Sequence, residues 1–107
     1  MKLRSVVTNL IAAQNSQDTR AYAACFTEAA IVHDEGKIHT GKTAIRTWNE
    51  ESNRQYQTFL KPIGYRETAN GQLLRAKVSG NFPGSPAILQ FQLSLEDGLI
   101  SSLNISG

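Results

Sequence analysis

The first half of the chain carries apolar residues at helical spacing, and most of the second half carries them at every other position. In the first segment five apolar residues recur three or four positions apart, namely Leu3, Val6, Val7, Leu10 and Ile11. This spacing places them on one face and predicts an amphipathic helix over residues 3–14. Asp18 is a favourable N-cap for a second, short helix over residues 19–26. Helical spacing returns over residues 44–56, which gives three predicted helices.

Strand-like runs fill the rest of the chain. Residues 29–34 form a short apolar run, and Glu35-Gly36 closes it as a turn before a brief return strand at residues 37–39. The pairs Asn70-Gly71 and Asp97-Gly98 favour the positive φ values of tight hairpin turns. These signals predict an antiparallel meander of four strands after the third helix, at residues 58–69, 72–82, 87–95 and 99–106.

Alternation in the meander separates an apolar face from a polar one. The predicted inner face carries Leu74, Ala76, Val78, Leu89, Phe91, Leu93 and Leu95. The opposite face carries Arg75, Lys77, Gln90 and Gln92. Helices placed first and an antiparallel sheet placed last predict an α+β fold. We expect one cone-shaped domain over residues 1–107, with N-terminal helices packed into a curved, mostly antiparallel sheet.

Composition and charge exclude several classes of protein. The chain has 107 residues with 40% hydrophobic and 19% charged residues, which is typical of a globular domain. The net charge is +2 and the basic residues are scattered among acidic ones, so we expect no nucleic-acid partner. No apolar run approaches the roughly 20 residues that cross a bilayer, so we expect no membrane segment. Cys25 is the only cysteine, which excludes an internal disulfide and favours a cytoplasmic location.

Two local segments are similar to those of a known superfamily. In residues 26–34 (FTEAAIVHD) an aromatic residue, an acidic turn and a strand lead to a polar residue. Residues 41–48 (GKTAIRTW) combine a glycine with Ala-Ile-Arg and an aromatic residue. With the predicted order of elements, they make the whole chain resemble the nuclear transport factor 2-like superfamily, in its SnoaL-like and ketosteroid isomerase-like branch. The resemblance implies a cystatin-like cone but not one activity, because this fold hosts isomerases, dehydratases, cyclases and non-catalytic binding domains.

The resemblance carries one catalytic position onto this chain. Ketosteroid isomerases have a general-base aspartate at the end of the first strand, and Asp34 occupies that position here. Their oxyanion hole uses a tyrosine on the first helix and a protonated aspartic acid on the sheet. These positions fall at Leu10 and near Phe91. Steroid isomerisation itself is therefore not expected, because a developing enolate would lack its hydrogen-bond donors.

The residues themselves leave two roles open for Asp34. It follows Val32 on one side of its strand, so its carboxyl can project into the apolar interior, where burial would raise its pKa and suit it to proton transfer. Alternatively, it forms the turn before Glu35-Gly36 by accepting backbone hydrogen bonds. His39 is the candidate second catalytic residue, at the mouth of the interior. His33 is expected on the opposite face, because adjacent strand residues point to opposite sides.

No metal site or cofactor is predicted. His33, Asp34, Glu35 and His39 are close in sequence, but their spacing does not place three ligands on one face. Cys25 lies between Ala24 and Phe26 in the second predicted helix and is expected to be a core thiol rather than a nucleophile.

A set of apolar and aromatic residues is expected to line a cavity for a ligand. The ligand-binding candidates are Tyr22, Val32, Trp48, Tyr56, Phe59 and Phe91. The resulting hypothesis is a SnoaL-like protein that binds a small hydrophobic metabolite and performs isomerisation, cyclisation or dehydration through Asp34. The alternative is a non-catalytic ligand-binding or dimerisation module. In both cases we expect a homodimer through the outer face of the sheet.

Overall fold

The computed structural model describes residues 2–107 and has the predicted α+β architecture. The helices are α1 (Ser5–Asn15), α2 (Thr19–Ala24) and α3 (Lys42–Tyr56). The strands are β1 (Phe26–Asp34), β2 (Lys37–Thr40), β3 (Phe59–Thr68), β4 (Gly71–Ser79), β5 (Ala87–Glu96) and β6 (Leu99–Ser106). Among residues 2–107, no helix combines the length and the apolar character that a membrane crossing requires.

One open sheet contains all six strands, in the order β2-β1-β6-β5-β4-β3. Neighbouring strands are antiparallel except β1 and β6, which run parallel. The amide of Ile100 donates to the carbonyl of Cys25 at 2.8 Å, which fixes the start of β6 beside the start of β1. The prediction of a mostly antiparallel sheet is therefore confirmed, with one parallel pair between the first and the last strand in sequence.

The second helix is shorter than its pattern predicts. Asp18 caps it as expected, and its carboxylate accepts from the amide of Ala21 at 3.0 Å. The helix ends at Ala24, and Phe26 already belongs to β1, three residues before the predicted start of that strand. Phe26 lies opposite Ile100 and is fully buried. Pairing with β6 thus overrides the helical preference of residues 25 and 26.

Two of the hairpins turn on residue pairs with positive φ. Glu35-Gly36 has φ values of 52° and 74°, and Asp97-Gly98 has φ values of 52° and 81°. The third predicted turn is displaced by one residue, because Thr68 pairs with Gly71 and the loop is residues 69–70. Gly71 has φ 142°, and a β-carbon there would collide with the carbonyl oxygen of Leu93. Close approach of β5 therefore requires the glycine.

The core lies between the helices and the inner face of the sheet. Its fully buried members include Val7, Leu10, Phe26, Ile45, Leu74, Leu93, Ile100 and Leu103. Leu74, Ala76 and Val78 share the buried side of β4, as alternation predicts. A β-bulge between Pro62 and Gly64 shifts the register of β3. As a result Leu60 and Tyr65, five positions apart, both pair with inner-face residues of β4.

Candidate ligand cavity and acid–base site

A cavity of about 990 Å³ lies between α3 and the inner face of the sheet. Trp48, Asn49, Ser52 and Tyr56 contribute to it from α3. The sheet contributes an apolar wall made of Leu60, Val78, Leu89, Phe91 and Ile105. Asp34 and His39 line it from β1 and β2, and Tyr22 lines it from α2. A volume of this size accommodates a small organic molecule.

The structure brings together four of the six predicted ligand-binding residues. Tyr22, Trp48, Tyr56 and Phe91 all line the cavity. The rings of Tyr22 and Trp48 have centroids 6.2 Å apart and an interplanar angle of 58°. Such tilted aromatic contacts hold both side chains in fixed orientations.

Val32 and Phe59 lie outside the cavity lining, which corrects that part of the prediction. Val32 points to the inner face but is completely buried in the core, where α3 packs on β1. Phe59 is 51% exposed. Its neighbour Leu60 takes the inner position opposite Val78, so Phe59 faces outward, opposite Ser79.

Asp34 ends β1 on the inner face of the sheet and lines the cavity. Partial burial raises the pKa of its carboxyl from 3.8 to about 6. The negative charge of Glu35 raises the pKa further, and a hydrogen bond from the Glu35 backbone amide opposes the rise. The Asp34 carboxyl therefore lines the cavity next to the Glu35-Gly36 turn.

His39 lies on β2 opposite Val32, so it shares the inner face with Asp34. Its ring stacks on Trp48 with centroids 5.2 Å apart and an interplanar angle of 26°. Desolvation and the nearby Lys37 lower the pKa of His39, which favours the neutral imidazole at neutral pH. His33 is exposed and pairs with Ile38 on the outer face, which agrees with the alternation of the strand.

Tyr22 supplies a hydroxyl group beside this acid–base pair. Burial raises the pKa of Tyr22 strongly, and the neighbouring Cys25 and Asp34 add to the rise, so the phenol stays protonated. Within residues 2–107 no hydrogen bond to the Tyr22 hydroxyl is formed, while the hydroxyl-bearing side chain lines the cavity. This donor is therefore free to bind a ligand. The thiol of Cys25 is buried, its pKa is raised by burial, and it donates to the Ala21 carbonyl at 3.5 Å.

A cluster of buried polar side chains forms part of the cavity wall and was missed by sequence reasoning. Gln14 on α1 and Asn49 on α3 are 5% and 2% exposed, and both line the cavity. Asn49 Nδ2 donates to Gln14 Oε1 at 2.9 Å, and Gln14 Nε2 donates to Thr58 Oγ1 at 2.8 Å. A signal existed, because Gln14 continues the apolar spacing of Val7 and Leu10, and Asn49 follows Ile45 by one helical turn. A polar residue in an apolar phase indicates a buried amide that needs partners.

In residues 2–107, no group of three or more His, Cys, Asp or Glu side chains is placed to hold a metal ion. The residues His33, Asp34, Glu35 and His39, which are close in sequence, divide between the two faces of the sheet and the exposed turn.

Comparison with solved structures identifies the superfamily. A protein from Sinorhizobium meliloti, provisionally named a polyketide cyclase, is 35% identical and superposes with a TM-score of 0.93, with 97% of this chain and 95% of that one covered. The chain belongs to the nuclear transport factor 2-like superfamily, in its SnoaL-like branch. The resemblance seen in the sequence is thereby confirmed.

More distant members share the fold alone. A protein from Catenulispora acidiphila with a ketosteroid isomerase-like fold, solved in complex with trimethylamine, is 17% identical with a TM-score of 0.88, covering 99% of this chain and 87% of that one. A nuclear transport factor 2-like protein of unknown function from Cytophaga hutchinsonii is 20% identical with a TM-score of 0.81, covering 99% and 93%. No family model and no curated protein matches the sequence. Membership in the superfamily does not specify a reaction.

Proposed function

We propose that the cavity binds a small hydrophobic molecule and that Asp34 exchanges a proton with it in an isomerisation, cyclisation or dehydration. The observation that carries this proposal is the position of the Asp34 carboxyl on the cavity wall, where partial burial raises its pKa to about 6. A carboxyl with such a pKa populates both protonation states near neutral pH, which general acid–base catalysis requires. No cofactor enters the proposal, because proton transfer at carbon or oxygen needs only a positioned acid or base.

Neighbouring residues give this carboxyl a suitable setting. Trp48, stacked with His39, provides a flat apolar surface for a planar ligand. The protonated hydroxyl of Tyr22 can stabilise negative charge that develops on a ligand oxygen. Tyr22 could thus supply the kind of donor that ketosteroid isomerases have at the position of Leu10, a residue that is buried in the core here.

Deuterium exchange tests the acid–base part of the proposal. In D₂O the protein should accelerate exchange of the acidic C–H groups of 2-tetralone, a generic carbon acid of suitable size, followed by proton NMR. Asp34→Asn should lower the accelerated rate about 100-fold or more, because general base catalysis commonly contributes that much. Glu51→Gln is the matched control, since Glu51 also lines the cavity but is exposed.

Two results would count against catalysis by Asp34. One is exchange at the solvent rate, and the other is an NMR titration that places the Asp34 carboxyl at or below its ordinary pKa of 3.8. If indane still bound to the cavity in calorimetry, the second candidate function, a non-catalytic ligand-binding module, would then account for the protein. Loss of both exchange and binding would contradict the proposed cavity function as a whole.

We also propose a homodimer through the outer face of the sheet in a cytoplasmic protein, with no nucleic-acid or membrane partner. Four exposed cations lie on the β3–β4 half of this face: Lys61, Arg66, Arg75 and Lys77. Lys61 and Lys77 pair directly across the strands, so two copies of this half would repel each other. The β5–β6 half carries uncharged pairs, Gln90 with Ser106 and Gln92 with Asn104. We therefore expect the two-fold axis to pass near β5 and β6.

Sedimentation velocity tests this arrangement. Asn104→Arg places a cation at the centre of the proposed interface and should convert the dimer to a monomer. Asn81→Arg makes the same chemical change at an exposed position in the β4–β5 loop and should leave the dimer intact. A monomeric wild-type protein at micromolar concentration would contradict the proposal.

A further inference from the structure

The polar part of the cavity wall contains more hydrogen-bond donors than the protein itself uses. Gln14, Thr19, Asn49, Asn53 and Thr58 form one network that joins α1, α2 and α3 to the start of β3. Most of the hydrogen-bonding groups in this network are paired with one another. Gln14 Nε2, with two hydrogens, has three acceptors within reach: Asn53 Oδ1 at 2.8 Å, Thr58 Oγ1 at 2.8 Å and the Thr58 carbonyl at 3.2 Å.

Asn49 keeps one amide hydrogen unused. Its Oδ1 accepts from Thr19 Oγ1 at 3.0 Å and from Asn53 Nδ2 at 3.1 Å, so the acceptor side is filled. Its Nδ2 carries two hydrogens, and within residues 2–107 only Gln14 Oε1 accepts one of them. Because Asn49 is 2% exposed and lines the cavity, the second hydrogen can reach a partner only from the cavity side.

Thr58 keeps its hydroxyl hydrogen unused. Its Oγ1 accepts from Gln14 Nε2, and in the described part of the chain it donates to no acceptor. Thr58 also lines the cavity. Asn49 and Thr58 bond to the two ends of the same Gln14 amide group, which places their spare donors in one small region of the wall.

We infer that Asn49 and Thr58 bind an acceptor oxygen of the ligand, so that the molecule the cavity takes is an apolar compound bearing a carbonyl group. The inference rests on the proposed ligand-binding function of the cavity. A carbonyl oxygen has two lone pairs and no hydrogen, which matches two donors, whereas a hydrocarbon would leave both donors desolvated without partners. Gln14 acts as a positioning residue, since its amide fixes both donors.

A pair of probes that differ by one carbonyl tests this inference. Calorimetry would measure the dissociation constants of 1-indanone and indane, which share a bicyclic frame, for the wild-type protein and for Thr58→Val. Valine has the shape of threonine but no hydroxyl, and Gln14 Nε2 keeps two acceptors in the variant. We expect the preference for 1-indanone over indane to fall about five-fold in Thr58→Val, because one hydrogen bond is lost, and to be retained in Thr58→Ser.

The same measurement on Tyr22→Phe separates this site from the other free donor in the cavity. The inference predicts that the ketone preference of Tyr22→Phe changes less than that of Thr58→Val. The inference would be overturned if the preference for 1-indanone over indane were unchanged in Thr58→Val, or if it were lost only in Tyr22→Phe. Binding of indane would in either case still support the ligand-binding function of the cavity. Failure of both probes to bind would overturn the cavity function and the inference together. If Thr58→Val does not fold, Thr58→Ala removes the same hydroxyl and decides the question.

Discussion

The packed and the open parts of the interior use the same sheet face in different ways. Around Phe26, Leu10 and Leu103 the apolar side chains fill the space completely and are 0–1% exposed. Beyond Val78 and Phe91 the same inner face borders the cavity. Toward the cavity, polar side chains occupy inward positions at Asp34, Gln14 and Asn49, while Gln72, which is 7% exposed, is a buried amide on β4 outside the cavity lining.

This difference separates residues selected for packing from residues available for chemistry. In the packed part most inward positions carry apolar residues at the period of their helix or strand, with Gln72 of β4 as an exception. In the cavity part the period continues but the residue type changes, and each polar group has an altered pKa or a specific hydrogen-bond partner. Departures from a local pattern are expected at functional sites, where stability is exchanged for activity.

The largest effect should follow from emptying the packed part. Phe26→Ala removes a fully buried ring that contacts Tyr22 at a centroid distance of 5.5 Å. We expect the free energy of unfolding to fall by about 3 to 5 kcal/mol, because the cavity left behind cannot collapse fully. Urea denaturation measures this change in the free energy of unfolding. Glu28→Ala, at an exposed position of the same strand, should change stability by less than about 1 kcal/mol.

The cavity wall should respond differently to a substitution of similar size. Trp48→Ala removes a partly buried ring that is stacked on His39, so we expect a loss below about 2 kcal/mol together with at least ten-fold weaker indane binding. Denaturation and calorimetry measure the two effects. A loss as large as that of Phe26→Ala, with no folded protein left to bind, would show that Trp48 belongs to the packed part.

The pH dependence of stability should report the setting of Asp34. Its pKa is raised in the folded state to about 6, so the folded protein binds more protons than the unfolded chain between about pH 4 and pH 6. Stability from this group is therefore lost as the pH rises through that window. Asp34→Asn removes this pH-dependent loss of stability. At pH 7 the free energy of unfolding of the variant should exceed that of the wild type by about 1 kcal/mol, a modest value because the carboxyl is partly exposed to solvent. Parallel stability curves from pH 4 to pH 7 would contradict the raised pKa.

The smallest effect on stability should come from Tyr22→Phe. Within residues 2–107 the Tyr22 hydroxyl forms no hydrogen bond, so its removal should change the free energy of unfolding by less than about 0.5 kcal/mol. If the hydroxyl stabilises developing charge on a ligand, exchange of 2-tetralone should nevertheless slow about ten-fold. Exchange at the wild-type rate would limit the role of Tyr22 to packing.

Local patterns predicted the elements and most inward positions, because helix phase and strand parity are local properties. They left the direction of Asp34 open between the interior and the turn, and in the structure its side chain lines the cavity. Phe59 was misplaced because it stands beside Leu60, and two adjacent apolar residues leave the parity of a strand undecided. Only pairing with Ser79 and Val78 decides it. The parallel contact of β1 with β6 and the bulge in β3 also depend on partners distant in sequence.

The amide network shows a second limit of local patterns. Gln14 lies on α1, Asn49 on α3 and Thr58 in the loop before β3, and none of the three belongs to a sequence motif. Their significance depends on distances that arise only after α1, α3 and β3 pack together. The cavity's size likewise depends on how far α3 stands from the sheet, which no spacing of residues specifies.

The pairing of β1 with β6 also has a consequence for how the chain folds. β1 ends at Asp34 and β6 begins at Leu99, so the contact that joins them closes a very long stretch of chain. Contacts of such wide sequence separation form slowly, because the entropy of closing the loop is lost before the strands gain their hydrogen bonds. β6 is synthesised after the other five strands. The edge of β1 that pairs with β6 therefore stays unpaired until β6 has left the ribosome. Pulse-labelled hydrogen exchange should therefore find the β3–β4–β5 meander protected before β1 and β6.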